Sequence, residues 1–175
     1  IFVMITTLKN PKSKRYLDFK QLITGPNFPW YFIGDSTPNM ELPEGHENIQ
    51  TFIHPFLTRP DGVCLYPKPC SSLIDNCNDV LKEIFLENGI GVKNIFRMAA
   101  NLVPPTKTNK PSIPHVDHEF DHVNCLIYLN DAGGDTVVEG ESYSPKEDEA
   151  ILFKGEHYMY PGKEKNRIVL ICTLI

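Results

Sequence analysis

The sequence predicts a mainly β protein in which two flanking helices pack on one outer face of a sheet sandwich or barrel. Two segments in the N-terminal half have apolar residues at helical spacing, and from Val92 onward the apolar residues alternate as they do in strands. Two helices followed by a run of short strands are typical of a layered β fold with its helices on one side. The 175 residues are enough for one domain with a sizeable core.

The predicted helices cover residues 13–24 and 72–88. The first begins at a capping serine and ends before a glycine. In the second, Ser72 followed three residues later by Asp75 resembles a capping box, and Gly89 is the expected stop. The apolar positions expected to face the core are Tyr16, Phe19, Leu22, Ile23, Ile74, Cys77, Leu81 and Ile84.

Short segments rich in apolar and β-branched residues predict the strands, and clusters of Gly, Pro, Asn and Asp predict the loops between them. Within 122–130, one face should carry Val123, Cys125, Ile127 and Leu129, and the other face Asn124, Leu126, Tyr128 and Asn130. We expect a turn between strands from Ala132 to Asp135 and loops at 34–45 and 104–114. The predicted strands are 1–5, 30–33, 49–53, 94–102, 122–130, 136–138, 150–153, 157–160 and 167–174.

Composition narrows the classes of function and location. The formal net charge of -5 and the pI near 5.7 argue against a protein that binds duplex nucleic acid through a basic face. The apolar runs are too short for a membrane span, and the first five residues lack the basic region of a signal peptide. Five cysteines without a C-x-x-C pair argue against a disulfide framework or zinc ribbon. A reducing, intracellular and cytoplasmic location is therefore expected.

Candidate metal ligands lie in the second half of the chain. His115 and Asp117 are two residues apart, so in an extended strand both side chains point to the same face. A second imidazole from His157 would complete two histidines and one carboxylate. That ligand set leaves positions open on the metal and is used by non-haem Fe(II) oxygenases. Arg167, at the start of an apolar strand, needs an anionic partner if it is buried, and its planar fork suits a carboxylate.

This order of residues resembles the H-x-D…H…R signature of the 2-oxoglutarate/Fe(II)-dependent dioxygenases. The stretch C-L-I-Y-L-N, which contains Tyr128, and the following G-G-D-T are similar to the prolyl-hydroxylase-like branch of that family. The resemblance covers roughly residues 96–175. It implies a double-stranded β-helix, also called a jelly-roll or cupin-like core, at 92–175. Residues 1–91 would be supporting strands and helices of the same single oxygenase domain, 1–175.

The resemblance also implies an activity. The chain would hydroxylate a C–H bond of a peptidyl proline, or of another protein or amino-acid side chain, and release succinate and CO2. Fe(II), 2-oxoglutarate and O2 would be required, with ascorbate as a supporting reductant. His115, Asp117 and His157 would be the metal and catalytic residues. Arg167, Tyr128 and Asn101 would bind the co-substrate, with Arg167 on its distal carboxylate.

Two other functions are compatible with parts of the sequence. His118 to His122 reads H-E-F-D-H, which matches the zinc metallopeptidase motif H-E-x-x-H. That motif must lie on a helix so that both histidines face the zinc, whereas Pro114 and the strand pattern after Val123 disfavour a helix here. The other alternative is a metal-binding jelly roll without turnover, although such a module has no need of a clamp for a co-substrate.

Overall fold

The computed structural model describes residues 5–35, 37, 40–60 and 65–175. These residues form mostly β structure with two helices, so the predicted fold class is confirmed. Neither of the two helices is long and apolar enough to cross a membrane. The elements are β1 (Ile5–Leu8), α1 (Lys14–Thr24), β2 (Tyr31–Asp35), β3 (Gln50–Leu57), α2 (Ile74–Glu87), β4 (Ile95–Val103), β5 (Val123–Tyr128), β6 (Thr136–Val138), β7 (Glu141–Tyr143), β8 (Ala150–Phe153), β9 (His157–Met159) and β10 (Arg167–Leu174).

The described strands form two antiparallel sheets. The large sheet has the order β1-β8-β5-β10-β4-β3-β2, and the small sheet has the order β7-β6-β9. After β5 the chain enters the small sheet at β6, returns to the large sheet at β8, and crosses twice more to end in β10. This repeated crossing places the inner faces of the two sheets opposite each other, with space between them for a site.

Two apolar clusters lie on opposite faces of the large sheet. One packs the outer face against both helices, and includes Phe19 of α1, Leu81 of α2 and Ile127 of β5. The other fills part of the space between the sheets and includes Leu126 and Tyr128. The two faces predicted for β5 are therefore confirmed, because successive side chains of a strand alternate between faces. The expected position of the helices on one outer face is confirmed as well.

The start of α1 agrees with the prediction, and the start of α2 does not. The Ser13 hydroxyl accepts a hydrogen bond from the Tyr16 N–H at 3.1 Å, which is the geometry of a helix cap. The predicted capping box at Ser72 is wrong, because α2 begins at Ile74 and has no side-chain cap. Ser72 is exposed, and it is the hydroxyl of Ser71 that accepts the N–H of the residue before α2.

Two connections differ from the sequence expectations. The segment from Ala132 to Asp135 lies between two strands as expected, but it forms no turn and instead carries the chain from β5 in the large sheet to β6 in the small sheet. The sequence also did not indicate β7. Glu139 and Gly140 both have positive φ, 46° and 83°, as a two-residue hairpin turn requires, and they connect β6 to β7.

Some expectations fall on residues outside the described ranges. They are residues 1–4 of the first predicted strand, Cys64, and residues 36, 38 and 39 of the predicted loop 34–45. Cys125 and Cys172 are free and buried, as predicted, and burial raises the pKa of both thiols.

Candidate metal and co-substrate site

The two predicted histidine ligands are paired through their main chains. The His115 N–H donates to the carbonyl oxygen of His157 at 3.0 Å, and the His157 N–H donates to that of His115 at 2.9 Å. Side chains of such a pair lie on the same face, and the two ring centroids are 4.6 Å apart. His115 itself lies in a single β-bridge to His157 and not in a longer strand.

Both imidazoles are oriented by carbonyl groups of the preceding chain. Nδ1 of His115 lies 3.0 Å from the oxygen of Ile113, and Nδ1 of His157 lies 3.2 Å from that of Gly155. Because a carbonyl oxygen only accepts, this contact favours, for each ring, the neutral tautomer with the proton on Nδ1, which leaves Nε2 available as a metal ligand. Burial, opposed by the charge of Asp117, lowers the pKa of His157 to about 4, so its ring is neutral at neutral pH.

Asp117 is buried and lies beside these rings. Its Oδ1 accepts from Arg97 Nη1 at 2.8 Å and from Arg59 Nη2 at 3.2 Å, whereas its Oδ2 lies 3.5 Å from His157 Nε2. Burial alone would raise the pKa of Asp117. The charge of Arg97, with smaller contributions from His157 and Arg59, outweighs burial and holds that pKa well below its usual range.

The three predicted ligands therefore converge. One ligand atom from each of His115, Asp117 and His157 lies within 4.8 Å of the others, so the group could hold a metal ion. Two imidazoles that can offer Nε2 and one ionised carboxylate are the donors that a 2-His-1-carboxylate iron site needs. The side chains present thus fit such a metal.

Arg167 occupies the same cavity and is fully buried. Its Nη2 donates to Thr136 Oγ1 at 2.8 Å, and its Nε points to the carbonyl oxygen of Gly134 at 3.4 Å. Its guanidinium carbon lies 5.4 Å from the ring centre of Tyr128. Burial lowers the pKa of Arg167, and within the described ranges no carboxylate oxygen lies within 4.0 Å of its guanidinium. In the described ranges the groups that Arg167 contacts directly are therefore uncharged, and the charge of Asp135 acts on it only from beyond contact distance.

Tyr128 also points into the space between the sheets. Its hydroxyl lies 2.7 Å from Thr136 Oγ1, the same atom that accepts from Arg167. Burial raises the pKa of Tyr128, so its phenol keeps the proton at neutral pH and can act as a donor. The structure therefore brings the predicted pair, Arg167 and Tyr128, together around Thr136, the threonine of the G-G-D-T stretch, to which the sequence analysis gave no role of its own.

The glycine pair that carried part of the family resemblance has a steric role. A Cβ on Gly134 would lie 2.3 Å from the carbonyl oxygen of Tyr160 and 2.7 Å from that of Pro161. Only a glycine can bring the chain this close to the segment after β9. The carbonyl group of Gly134 is thereby placed against Arg167.

Asn101 lies on β4, opposite Val169 of β10, which in turn pairs with Tyr128. Its Oδ1 is buried and has no hydrogen-bond partner among the residues that the structure describes. Asn101 lines the same cavity as the metal-ligand candidates and Arg167, and that cavity encloses about 660 Å³ including its open mouth. An unpartnered polar atom in this position is available to a bound molecule.

The metallopeptidase alternative is wrong. The residues from His118 to His122 contain no helix, so the H-E-x-x-H geometry cannot form. His118 Nε2 lies 2.7 Å from Thr173 Oγ1, and the His118 ring stacks on Phe120. His122 is buried, and its Nδ1 faces the carbonyl oxygen of Phe120 at 2.7 Å.

Sequence reasoning missed Arg97 and Arg59 as neighbours of the site. Arg97, Ala99 and Asn101 occupy every second position of a predicted strand, so their side chains share one face. The direction of Arg97 could therefore have been inferred from that of Asn101. Arg59 gave no signal, because it follows β3 and reaches Asp117 only through the tertiary fold.

Comparisons with solved structures identify proteins of the same fold. No protein-family model matches the sequence, and no curated protein matches it. An oxidoreductase of the 2OG-Fe(II) oxygenase family from Burkholderia pseudomallei is similar with a TM-score of 0.66. Its sequence identity is 14%, over 99% of this chain and 86% of that chain.

Two prolyl hydroxylases are also similar. One, from Trichoplax adhaerens, is in complex with a peptide fragment of the hypoxia inducible factor oxygen degradation domain (TM-score 0.55, 13% identity, 98% of this chain and 83% of that chain). The other is the Pseudomonas putida prolyl-4-hydroxylase (TM-score 0.55, 11% identity, 99% and 93%). The chain therefore has the jelly-roll fold of the 2-oxoglutarate/Fe(II) oxygenases, as the sequence resemblance predicted.

Proposed function

We propose that this chain is an Fe(II)- and 2-oxoglutarate-dependent dioxygenase that hydroxylates a C–H bond. His115, Asp117 and His157 would hold the metal, and Arg167 would bind the distal carboxylate of 2-oxoglutarate. When bound, the metal and its co-substrates supply the oxidation: one atom of O2 enters the C–H bond, the other enters succinate, and CO2 leaves 2-oxoglutarate.

The observation that carries this proposal is the unmatched charge of Arg167. An unpaired buried charge costs several kcal/mol, so this guanidinium requires an anion. Among the described residues the groups that bond it directly are neutral, the charge of Asp135 acts on it only from farther away, and the predicted metal ligands line the same cavity. A molecule with one carboxylate for Arg167 and a second oxygen-rich end for a metal satisfies both, and 2-oxoglutarate is such a molecule.

The other residues of the cavity would orient this molecule and exclude water. Tyr128 and Thr136 offer hydroxyls beside Arg167, and Asn101 offers its unpartnered Oδ1. The apolar side chains of Val169 and Ile171 form part of the wall between Arg167 and the metal ligands. Removing water from such a site strengthens the electrostatic interactions inside it.

An open groove beside the cavity suits a substrate. It runs over β2, β3 and β4, and its apolar lining includes Ile33, Ile53 and Leu57. The groove shares Arg59 and Asn101 with the cavity lined by the candidate metal ligands, so a bound chain would pass those ligands. We infer a peptide or amino-acid substrate by analogy with the Trichoplax prolyl hydroxylase, which is in complex with a peptide.

Succinate formation tests this function against a non-catalytic metal-binding module. The purified protein, given Fe(II), ascorbate, 2-oxoglutarate and O2, should form succinate slowly even without substrate. Reactions without iron, and with Arg167→Ala, serve as controls and should form much less. If the wild-type protein binds metal but forms no succinate under reducing conditions, the binding module becomes the better account.

A further inference from the structure

The two carboxylate oxygens of Asp117 have different surroundings. Oδ1 accepts from Arg97 at 2.8 Å and from Arg59 at 3.2 Å, and Arg59 also reaches the main-chain oxygen of Asp117 at 3.3 Å. Oδ2 receives no guanidinium and lies 3.5 Å from Nε2 of His157. One oxygen is therefore occupied by donors, and the other faces the remaining ligand atoms.

The two arginines differ in burial. Arg97 lies on β4 opposite Thr173, and only 11% of its side chain is exposed, whereas 44% of the Arg59 side chain is exposed. Exposed ion pairs contribute little, because water and side-chain entropy offset the attraction. A buried pair is strongly coupled, since removing one partner leaves an uncompensated charge. Arg97 should therefore hold Asp117 much more firmly than Arg59 does.

We propose that Arg97 is a positioning residue that fixes Asp117 as a metal ligand through Oδ2 alone. The inference rests on the proposed function, which places a metal on His115, Asp117 and His157. With Oδ1 occupied by a short charge-assisted hydrogen bond, the carboxylate can neither rotate freely nor give both oxygens to the ion. A ligand that gives one oxygen leaves a coordination position open for the co-substrates.

Arg97 has a second consequence for the metal-free protein. Asp117 is buried, and its charge needs a counter-ion whether or not a metal is present. Arg97 supplies that charge, so the ligand set stays assembled before the metal arrives. Outer partners of this kind commonly change metal affinity by about 10- to 100-fold when they are removed.

Metal binding without turnover tests the proposal. Arg97→Met removes the charge and the donors but keeps a long side chain, and Arg97→Lys restores the charge. Arg59→Gln is the matched control on the same carboxylate oxygen. Free Mn(II) would be titrated by electron paramagnetic resonance, and the visible spectrum of the Co(II) protein would report the coordination number.

We expect Arg97→Met to weaken Mn(II) binding by about 10- to 100-fold and to change the Co(II) spectrum as Oδ1 becomes free to bind. Arg97→Lys should recover part of the affinity, and Arg59→Gln should change it by less than about fivefold. An Arg97→Met protein that folds only when Mn(II) is present also supports the proposal, because the ion then replaces the lost counter-charge.

Two results would overturn the positioning role while leaving the proposed metal site intact. One is an Arg97→Met protein with the Mn(II) affinity and Co(II) spectrum of the wild type. The other is an Arg97→Met protein that stays unfolded in saturating Mn(II), which would make Arg97 purely structural. A wild-type protein that binds neither ion would contradict the proposed function itself, and this role with it.

Discussion

His115 and His157 exchange both of their main-chain hydrogen bonds, so each fixes the backbone of the other. The bridge does not depend on either side chain. Replacing an imidazole should therefore remove a ligand without removing the contact that holds the two segments together. Each candidate metal ligand can therefore be replaced without breaking the main-chain bridge between the two segments.

The first prediction concerns that ligand set. His115→Ala and His157→Ala should fold and lose most Mn(II) affinity, because each removes one of three predicted ligands. His118→Ala is the control, since the His118 side chain bonds Thr173 and stacks on an aromatic ring instead. Calorimetric Mn(II) titration compares the three variants. A crystal soaked with metal that shows the ion on His118 and His122 would contradict the assignment.

The second prediction concerns Arg167. Arg167→Ala should weaken 2-oxoglutarate binding by roughly 30- to 4,000-fold, since losing a charged partner at a desolvated site costs about 2–5 kcal/mol. Arg167→Lys should recover only part of the lost 2-oxoglutarate affinity, because an ammonium group lacks the planar fork of a guanidinium. Tyr128→Phe should weaken the free energy of 2-oxoglutarate binding by less, about 1.5–3 kcal/mol.

The measurement is a 2-oxoglutarate titration of each variant, with Mn(II) affinity as the control. Mn(II) affinity should stay near the wild-type value, because Arg167 contacts none of the three ligands directly. Unchanged 2-oxoglutarate affinity in a folded Arg167→Ala protein would show that the buried guanidinium does not bind the co-substrate.

The third prediction concerns Gly134. Gly134→Ala should lower the free energy of unfolding by about 1–3 kcal/mol, because the new methyl group would overlap the carbonyl oxygens of Tyr160 and Pro161. Gly91→Ala is the control, since a Cβ there has no atom within 4 Å. Urea unfolding compares the two. Equal stability of both variants would mean that the chain around Gly134 relaxes without cost.

The fourth prediction separates two serines that both precede helices. Ser13→Ala should destabilise the protein by about 0.5–2 kcal/mol, because Ser13 caps α1 by accepting from Tyr16. Ser72→Ala should have little effect, because Ser72 is exposed and α2 has no side-chain cap. Thermal unfolding of both variants checks this difference, and the reverse order would restore the capping box that the sequence suggested.

The fifth prediction is the pH dependence of the metal-free protein. Folding lowers the pKa of His157 from about 6.5 to about 4, and that of His118 similarly, so the unfolded chain binds more protons between these values. The free energy of unfolding should therefore carry no penalty from these histidines above about pH 6.5, and it should fall as the pH drops toward 4. One histidine contributes at most about 1.4 kcal/mol per pH unit.

Urea unfolding in the presence of a chelator, between pH 4.5 and 7.5, measures how steeply the free energy of unfolding changes with pH. His157→Asn should make this dependence shallower, because asparagine does not titrate. An unchanged slope in that variant would assign the pH dependence to other groups.

Much of the fold followed from local patterns. The period of two in β5 correctly predicted which side chains face the helices and which face the cavity. Helix α1 followed from its apolar spacing and its serine cap. The hairpin at Glu139 and Gly140 was missed, because a glutamate with positive φ is uncommon and gives no turn signal. The capping box predicted for α2 is absent, because α2 begins at Ile74, two residues after Ser72, and has no side-chain cap.

The sequence by itself determined the metal-ligand candidates, Arg167 and Tyr128, because residue type, order and spacing define these choices. Tertiary structure alone decided what surrounds them. Asp117 meets Arg59 and Arg97 through contacts between distant segments, and the geometry of those contacts depends on how the sheets pack. Whether a charge is buried without a contacting carboxylate, as Arg167 is among the described residues, is likewise a property of the packed molecule. Burial and pairing depend on all the neighbours of a side chain, and no local pattern contains them.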